Sequence, residues 1–127
     1  MSDSPESVRE YIRAHVTIPE AFRLIPNQTM PQTIDRPTVV VKHLRMEPLA
    51  EAPVGHVRNT VILTLADHHE TEAIAEEALD TAVVELLTAL DGHEAITWTE
   101  AEKVSVVDRY LGWDITLTVI TSRKETA

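Results

Sequence analysis

The chain has 127 residues, 43% of them hydrophobic, and this length and composition predict a single domain spanning residues 1–127. It contains no cysteine, which excludes disulfides, thiolate zinc sites and cysteine nucleophiles. The net charge is −10, and eleven acidic residues with no basic residue lie between Arg58 and Lys103. Such a stretch makes binding of a nucleic-acid backbone in this region unfavourable, because that binding depends on Lys and Arg side chains that neutralise the phosphates.

The N-terminal region predicts one short helix and then an irregular connection. Ser4 is a suitable N-cap and Pro5 a suitable first helical residue, so a helix is predicted within residues 1–16. Four prolines between residues 17 and 37 exclude a regular helix there, although Phe22–Ile25 predicts a brief edge strand. The rest of this segment, with Pro26 and Pro31, is long for a loop and is a candidate contact with a neighbouring subunit.

Two stretches rich in β-branched residues predict an antiparallel hairpin. Its strands are Thr38–Met46 and Val57–Ala66, and the second alternates apolar with polar residues. Residues 47–56 between them exceed the two to five residues of a plain hairpin loop. We therefore predict a protruding arm that is stiffened by prolines and carries apolar residues: Pro48, Leu49, Pro53 and Val54.

A long amphipathic helix is predicted from Glu70 to Leu90, because apolar residues recur there at three- and four-residue spacing. They are Ile74, Ala78, Leu79, Ala82, Val83, Leu86, Leu87 and Leu90. Asp67 is the predicted N-cap and Thr71 the alternative. The helix is predicted to stop at Asp91-Gly92, with Gly92 suited to a left-handed conformation.

The remaining segments predict further strands and complete the fold class. Ala95–Thr99 and Val104–Val107 predict a strand with a bulge, Trp113–Thr121 predicts the last strand, and 122–127 a flexible polar tail. The strand after the helix is expected in the same sheet as the strand before it, either parallel to that strand or next but one to it. The pattern predicts an α+β, two-layer domain: one mixed, mostly antiparallel sheet with two helices packed on one face. The predicted core contains Ile74, Val83, Leu86, Trp98, Trp113, Ile115 and Leu117.

The sequence offers few groups arranged for chemistry. Asp67–Glu70 contains four potential metal ligands, but adjacent histidines usually point apart, and local solvation explains them equally well. His43 and His56 flank the predicted arm and could face each other across the hairpin. We expect both to face solvent and not to form a pH switch. The carboxylates of the long helix are expected on an exposed face, where no burial tunes them for acid–base catalysis. We predict no catalytic residue, metal or cofactor.

Several segments, taken in their order and spacing, carry a family resemblance. They are Phe22–Pro26 ahead of Arg36–Val41, Glu51–His56, Glu77–Asp80, Trp98 with Ala101 and Lys103–Val104, and Gly112–Val119. Together they resemble the tail terminator proteins of long-tailed phages of actinobacteria, also called tail completion or head-to-tail joining proteins.

This resemblance implies a mixed sheet flanked by helices and a structural role as a ring, expected to be hexameric, at the head-proximal end of the tail in the virion. The implied partners are further copies of this chain, the major tail tube protein and a head-completion or connector protein. DNA would pass the channel without specific binding, and no membrane, cofactor or catalytic residue is implied. The interface with neighbouring subunits or the tube is expected at Pro26, Pro31, Pro48, Leu49, Pro53, Val54 and His56.

Two alternatives to a ring protein stay open. A small α+β ligand-binding or enzymatic domain that dimerises through its sheet would be favoured by a deep apolar pocket with converging polar groups. The other alternative is an interaction module that forms no ring. In every case we expect a soluble protein made in the cytoplasm, because no apolar run approaches about 18 residues and the N-terminus lacks the basic start of a secretory signal.

Overall fold

The computed structural model describes residues 5–25, 29–48, 56–69 and 71–122. Its elements in chain order are α1 (Pro5–His15), β1 (Arg23–Ile25), β2 (Thr38–Pro48), β3 (His56–Ala66), α2 (Glu72–Leu90), β4 (Ile96–Val106) and β5 (Tyr110–Ser122). The N-terminal helix and the brief strand after it are confirmed. So is the α+β class, with one five-stranded mixed sheet and two helices.

The sheet has the strand order β1-β2-β3-β5-β4. β1 pairs with β2 in parallel, and the other three pairings are antiparallel. α2 connects β3 to β4 across the intervening β5, so β4 occupies the next-but-one position that the sequence predicts. β4 runs parallel to β3, because both are antiparallel to β5.

The main core lies between α1, α2 and one face of the sheet. Alternate residues of β3 and β5 point toward the helices, as strand geometry requires, and Val61, Leu63, Ile115 and Leu117 are fully buried. They pack with residues of both helices in one cluster: Val8 and Ile12 from α1, and Leu79, Val83, Leu86 and Leu90 from α2. The predicted core positions Val83, Leu86, Ile115 and Leu117 are confirmed.

Ile74 is not a core residue, and this prediction is wrong. Its side chain is 51% exposed, whereas that of Ala75 is 1% exposed. The buried face of α2 continues from Ala75 through Leu79 and Leu86, and Ile74 lies one helical position, about 100°, away from that face. Ala78 is likewise exposed.

The ends of α2 agree with the prediction in part: the helix ends at Leu90, directly before Asp91-Gly92, and the alternative cap Thr71 is the one used. The helix starts at Glu72, and Thr71 takes the N-cap position without a side-chain hydrogen bond to the helix. Asp67 is therefore not the cap. At the other end Asp91 is the C-cap with a right-handed φ of −57°, and its N–H donates to the Leu87 carbonyl. Gly92 does not adopt a left-handed φ, so the predicted glycine cap is wrong.

The two tryptophans lie at the border of the main core. Trp98 and Trp113 are partly buried and pack against the core cluster, not within it. The Nε1–H of Trp98 donates to Asp91 Oδ1 at 3.0 Å, and that of Trp113 donates to Asp80 Oδ1 at 3.2 Å. The prediction of two central core residues is thus only partly correct, because the indole N–H of each ring is kept near an exposed carboxylate.

The predicted arm is shorter than the sequence suggests. Pro48 still pairs with Val57, and His56 pairs with Ser122 of β5, so Glu47, Pro48 and His56 belong to the sheet. Proline is tolerated at Pro48 because β2 has an open edge there. His56 therefore does not approach His43, which pairs with Val61 five rows of β3 away. Leu49, Pro53 and Val54 lie outside the described residues, as does Pro26.

A second, smaller core lies on the opposite face at one end of the sheet. Met30 and Ile34, from the irregular connection, are buried there with Ile25, Val40, Ala66, Val106 and Tyr110. The backbone N–H of Ile34 also donates to the Tyr110 hydroxyl at 3.2 Å. This part of the connection packs on its own subunit through Met30 and Ile34, while Pro31 is half-buried, and its place at a subunit interface stays a prediction.

Candidate interaction surface

Beyond the second core, neither described helix covers the face of the sheet that points away from the main core, which is called the open face below. Its central residues are half-buried and β-branched: Thr60, Ile62, Thr116, Thr118 and Ile120. Strand pairing places them side by side, with Ile62 opposite Thr116 and Thr60 opposite Thr118. Neither described helix packs on this face, since both contribute to the core on the other side. A surface of threonine and isoleucine side chains offers area for contact with another molecule.

Within the part of the chain that the structure describes, the sheet also has two open edges. β4 is the last described strand on one side, where it pairs with β5. On the other side the short β1 pairs with β2 only from Thr38 to Val40, which leaves Val41–Pro48 without a partner strand among the described residues. An open strand edge presents unpaired N–H and C=O groups and can pair with another strand. Each edge is long enough for a full strand pairing.

The two edges differ in charge on the open face. Lys42 is half-buried and Arg45 is exposed on the β2 edge, where Arg45 Nε also lies 3.6 Å from Glu47 Oε1. Glu100 and Glu102 are exposed on the β4 edge, whereas Lys103 of β4 contacts carboxylates of α2 on the other face. Exposed carboxylates on α2, including Glu77 and Glu85, extend the acidic side. The sequence shows only that acids cluster in the second half of the chain. That they form one flank follows from the strand order, which places β4 and β2 on opposite sides.

The β2 edge also carries two exposed apolar side chains. Leu44 is 55% exposed and Met46 is 42% exposed. Leu44 lies where the pairing with β3 shifts register, between His43 and Arg45, so it has no opposite residue in the ladder. Neither residue was identified from the sequence, because a bulge is not visible in the alternation of β2.

A buried polar network holds the sheet next to this edge. Asn59 is fully buried, and its Nδ2 donates to the Val119 carbonyl at 3.0 Å and to Thr121 Oγ1 at 2.9 Å. His43 Nε2 donates to Asn59 Oδ1 at 3.0 Å, which accounts for the position of His43. One amide thus connects β2, β3 and β5 across the helix-facing side.

We expect Asn59→Ala to lower the free energy of unfolding by about 2–3 kcal/mol, because buried groups on β2 and β5 would lose their partners. Urea denaturation of the wild type and the variant measures this difference. Thr60→Ala is the matched control, since Thr60 is half-buried on the open face next in the chain. Equal effects of the two substitutions would contradict the role given to Asn59.

The Asp67–His68–His69 turn is more closely assembled than the sequence predicts. Asp67 is buried, and its Oδ2 accepts hydrogen bonds from the His69 N–H at 2.9 Å and from His69 Nδ1 at 2.7 Å. His68 Nδ1 lies 4.0 Å from Asp67 Oδ1, and the two imidazole rings are 4.1 Å apart, so the histidines do not point apart. Three potential ligand atoms lie within 4.8 Å of one another. The carboxylate is nevertheless engaged by two donors from His69, which explains the arrangement as a local turn.

A cleft of about 420 Å³ lies beside this turn. It is lined by His69 and by the end of the β4–β5 hairpin, including Lys103, Asp108, Arg109 and Tyr110. Lys103 Nζ contacts Glu76 at 3.1 Å and Asp80 at 3.8 Å, and an Arg109 nitrogen lies 3.4 Å from Thr33 Oγ1. The cleft was not predicted, because His69 and Arg109 are 40 residues apart in the sequence. Its lining is mixed, because Lys103, Asp108 and Arg109 lie beside Ala75, Val104 and Leu111, and it differs in this from the mostly apolar pocket typical of small-molecule sites.

Comparison with known proteins gives no relative for this chain. No protein-family model matches it, and no curated protein matches it at a significant level. Neither described helix is long and apolar enough to cross a membrane. The open face and the two charged edges of the sheet are therefore the features on which a function can be proposed.

Proposed function

We propose that this protein is a phage tail terminator that acts as a ring, expected to be hexameric. It caps the tail tube, ends tail polymerisation and provides the surface to which the filled head joins. Its partners would be copies of itself, the major tail tube protein and a head-completion or connector protein, at the head-proximal end of the tail in the virion. The role is structural, without a catalytic step.

The fold agrees with what the family resemblance implies, a mixed sheet flanked by helices. Four of the six segments that carry the resemblance fall on one sheet, whereas Glu77–Asp80 lies on α2 and most of Glu51–His56 lies outside the described residues. Arg23–Ile25 forms β1, Thr38–Val41 begins β2, and Gly112–Val119 is the middle of β5. Segments that are far apart in the sequence thus become neighbours in one layer, which supports reading them together.

The observation that carries the proposal is the amount of sheet surface left uncovered in one subunit. One face is largely open, and both edges lack partner strands among the described residues. An open edge on each side suits a head-to-tail contact between identical subunits, and such contacts close into a ring when the rotation between neighbours allows it.

The acidic flank supports a channel through which DNA passes without adhering. Glu76, Glu77, Asp80 and Glu85 are exposed on α2. Affinity for the nucleic-acid backbone comes from Lys and Arg that neutralise phosphates. A carboxylate-rich surface near DNA would repel it instead.

Purified protein added to polymerising tail tubes tests the proposal. We expect the protein to stop polymerisation and to appear as a ring at one end of each tube, seen by electron microscopy. Mass measurement on the free protein and on capped tubes gives the number of copies. A protein that stays monomeric and unbound in both settings would rule out the terminator role.

We further expect the segment between β2 and β3 to be needed for capping and not for folding. Because Pro48 and Val57 are still paired, Asn-Gly, which favours a tight hairpin turn, can replace residues 49–56. This range is the segment together with His56, the first residue of β3, whose pairing with Ser122 is then lost. The shortened protein should melt within a few degrees of the wild type, yet leave tails of irregular length without heads. A second variant, in which residues 49–56 are replaced by Gly and Ser at the same length, is the control. It shows whether the effect comes from the loss of these residues or from the shorter segment. Normal, head-joined tails from the Asn-Gly variant would show that the segment has no such role.

The cleft beside His69 favours one alternative, a small ligand-binding or enzymatic domain. Its lining, with Lys103 and Arg109, suits a small anion better than an apolar ligand. Replacing both residues with alanine should leave tube capping unchanged under the terminator proposal. Loss of capping in that variant would instead show that the cleft takes part in the contact with the tube, whereas binding of a small anion by a wild-type protein that does not cap tubes would favour the alternative.

A further inference from the structure

We infer that a second copy of this chain docks by continuing the sheet, with the acidic edge of β4 in one subunit beside the basic edge of β2 in the next. This inference deepens the proposed ring by naming its interface. It rests on that function only for the closure of the ring, because edge pairing between copies can be measured on the purified protein alone.

The directions of the strands suit this pairing. β2 is antiparallel to β3, β3 to β5, and β5 to β4, so three reversals make β4 antiparallel to β2 within one sheet. A copy displaced sideways along the sheet therefore brings its β2 antiparallel to the β4 of its neighbour. The helices of both copies stay on the same side, and the core described above remains covered.

The register of the sheet places the opposite charges in line. Lys42 pairs with Ile62, Ile62 with Thr116, and Thr116 with Glu100, so Lys42 and Glu100 lie at the two ends of one row across the sheet. Their side chains belong to the same open face. A neighbour displaced along this row brings Glu100 of one copy beside Lys42 of the next, within the distance at which cross-strand charge pairs interact.

The adjacent rows limit the contact to one part of each edge. Arg45 pairs with Thr60 in the row that ends at Thr97, and Val40, which ends the row of Glu102, already pairs with Ile25 of β1. The contact therefore joins Ile96–Ala101 of one copy to Val41–Met46 of the next, with Lys42 and Glu100 as its directly opposed charges and Arg45 and Glu102 nearby on the same two edges. The exposed side chains of Leu44 and Met46 lie on the β2 edge and would be covered by the incoming strand.

The charges also select this pairing over the symmetric ones. Two β4 edges would bring Glu100 and Glu102 close to their own copies, and two β2 edges would do the same with Lys42 and Arg45. Like charges across strands are destabilising. Charged residues often protect the edges of monomeric sheets, but here the two edges carry opposite signs, which opposes only the symmetric contacts and leaves the head-to-tail contact favourable.

Charge exchange between the edges tests the interface. Glu100→Lys with Glu102→Lys makes both edges basic, and Lys42→Glu with Arg45→Glu makes both edges acidic. Each double variant should associate at least about tenfold more weakly than the wild type at low salt, because like charges would then meet in every contact. A one-to-one mixture of the two variants, and a single chain with all four changes, should both associate again. Glu77→Lys with Glu85→Lys, an equal change of charge on α2, should show no such pattern.

Covalent trapping detects the contact even if it is weak in solution. The natural chain has no cysteine, so the thiols introduced by Lys42→Cys and Glu100→Cys are the only ones that can form a disulfide, and the two single-cysteine variants show how much the symmetric 42–42 and 100–100 pairs contribute. Opposed residues of antiparallel strands lie about 4.5–5.5 Å apart between Cα atoms, which a disulfide spans. Mild oxidation should give a ladder of dimers and larger species on a non-reducing gel, and the pair Lys42→Cys with Glu77→Cys should not.

The outcomes separate this inference from the proposed function. A ladder together with recovery in the charge-exchanged mixture supports the edge contact, whatever the protein does on tail tubes. Monomers only after oxidation, or association that the double variants leave unchanged, would overturn the edge contact. Rings seen on tubes with either of these results would leave the terminator role standing and place its interface elsewhere.

Discussion

Leu86→Ala is expected to lower the free energy of unfolding by about 2–5 kcal/mol, the cost of removing a fully buried leucine side chain from a packed core. Leu86 lies on the buried face of α2 and packs in one cluster with residues of α1, β3 and β5. The cavity left by alanine would therefore open at the contact between the helices and the sheet. Chemical denaturation with urea measures the loss as a shift of the midpoint at unchanged slope.

Ile74→Ala is the matched control for this substitution. Ile74 lies on the same helix and loses a side chain of similar size, but it is 51% exposed. We expect a change within about 0.5 kcal/mol, since surface substitutions away from special features have small effects. A loss at Ile74 as large as that at Leu86 would mean that α2 packs on the sheet through a different face.

The contrast between Leu86 and Ile74 shows what the spacing of apolar residues can predict about burial on α2 and what it cannot. The spacing of apolar residues correctly predicts α2 and the burial of Leu79, Val83 and Leu86. At the N-terminal end of the helix alanines occur on several sides, so the apolar stripe can be drawn through Ile74 or through Ala75 with nearly equal support. Only the packing of the helix on the sheet decides for Ala75.

The strands show the same division between local pattern and tertiary arrangement. Alternation along β3 correctly places Val61 and Leu63 on the core face, and it places the polar Asn59 there too. The partners that make Asn59 tolerable come from β5, some 60 residues later in the chain. A local pattern can show that a polar residue is buried without showing which groups satisfy it.

The candidate interaction surface depends almost entirely on strand order. The sequence shows basic residues in β2 and acidic residues before Lys103, but β4 could have paired beside β3 with the same local pattern. Insertion of β5 between β3 and β4 makes β4 an edge strand and places Glu100 in one row with Lys42. Asp67 is a similar case, because its N–H pairs with the Leu111 carbonyl and this contact with β5 removes it from the start of the helix.

Gly112→Ala adds only one methyl group, yet we expect it to destabilise the protein strongly. A Cβ at Gly112 would lie 2.5 Å from Val106 Cγ2 and 2.6 Å from the Leu65 carbonyl oxygen. The Leu65 carbonyl belongs to the backbone of β3, which is paired with β2 and β5 on its two sides, so it cannot move away without disturbing the ladder. We expect a loss of about 3 kcal/mol in the free energy of unfolding, the upper end of the usual cost of overpacking.

Two further variants show whether the loss at Gly112 comes from this close approach. Gly92→Ala adds the same methyl group where no atom lies within 4 Å, and Gly92 has no left-handed φ, so its stability should change by less than about 1 kcal/mol and can even rise. Val106→Ala combined with Gly112→Ala removes the contact with Val106 and leaves the Leu65 carbonyl in place, so it should recover little of the lost stability. Full recovery in this double variant would show that the side chain of Val106, and not the backbone of β3, requires glycine at this position. Equal losses at Gly92 and Gly112 would mean that the close packing of β5 against β3 is not the reason for the effect.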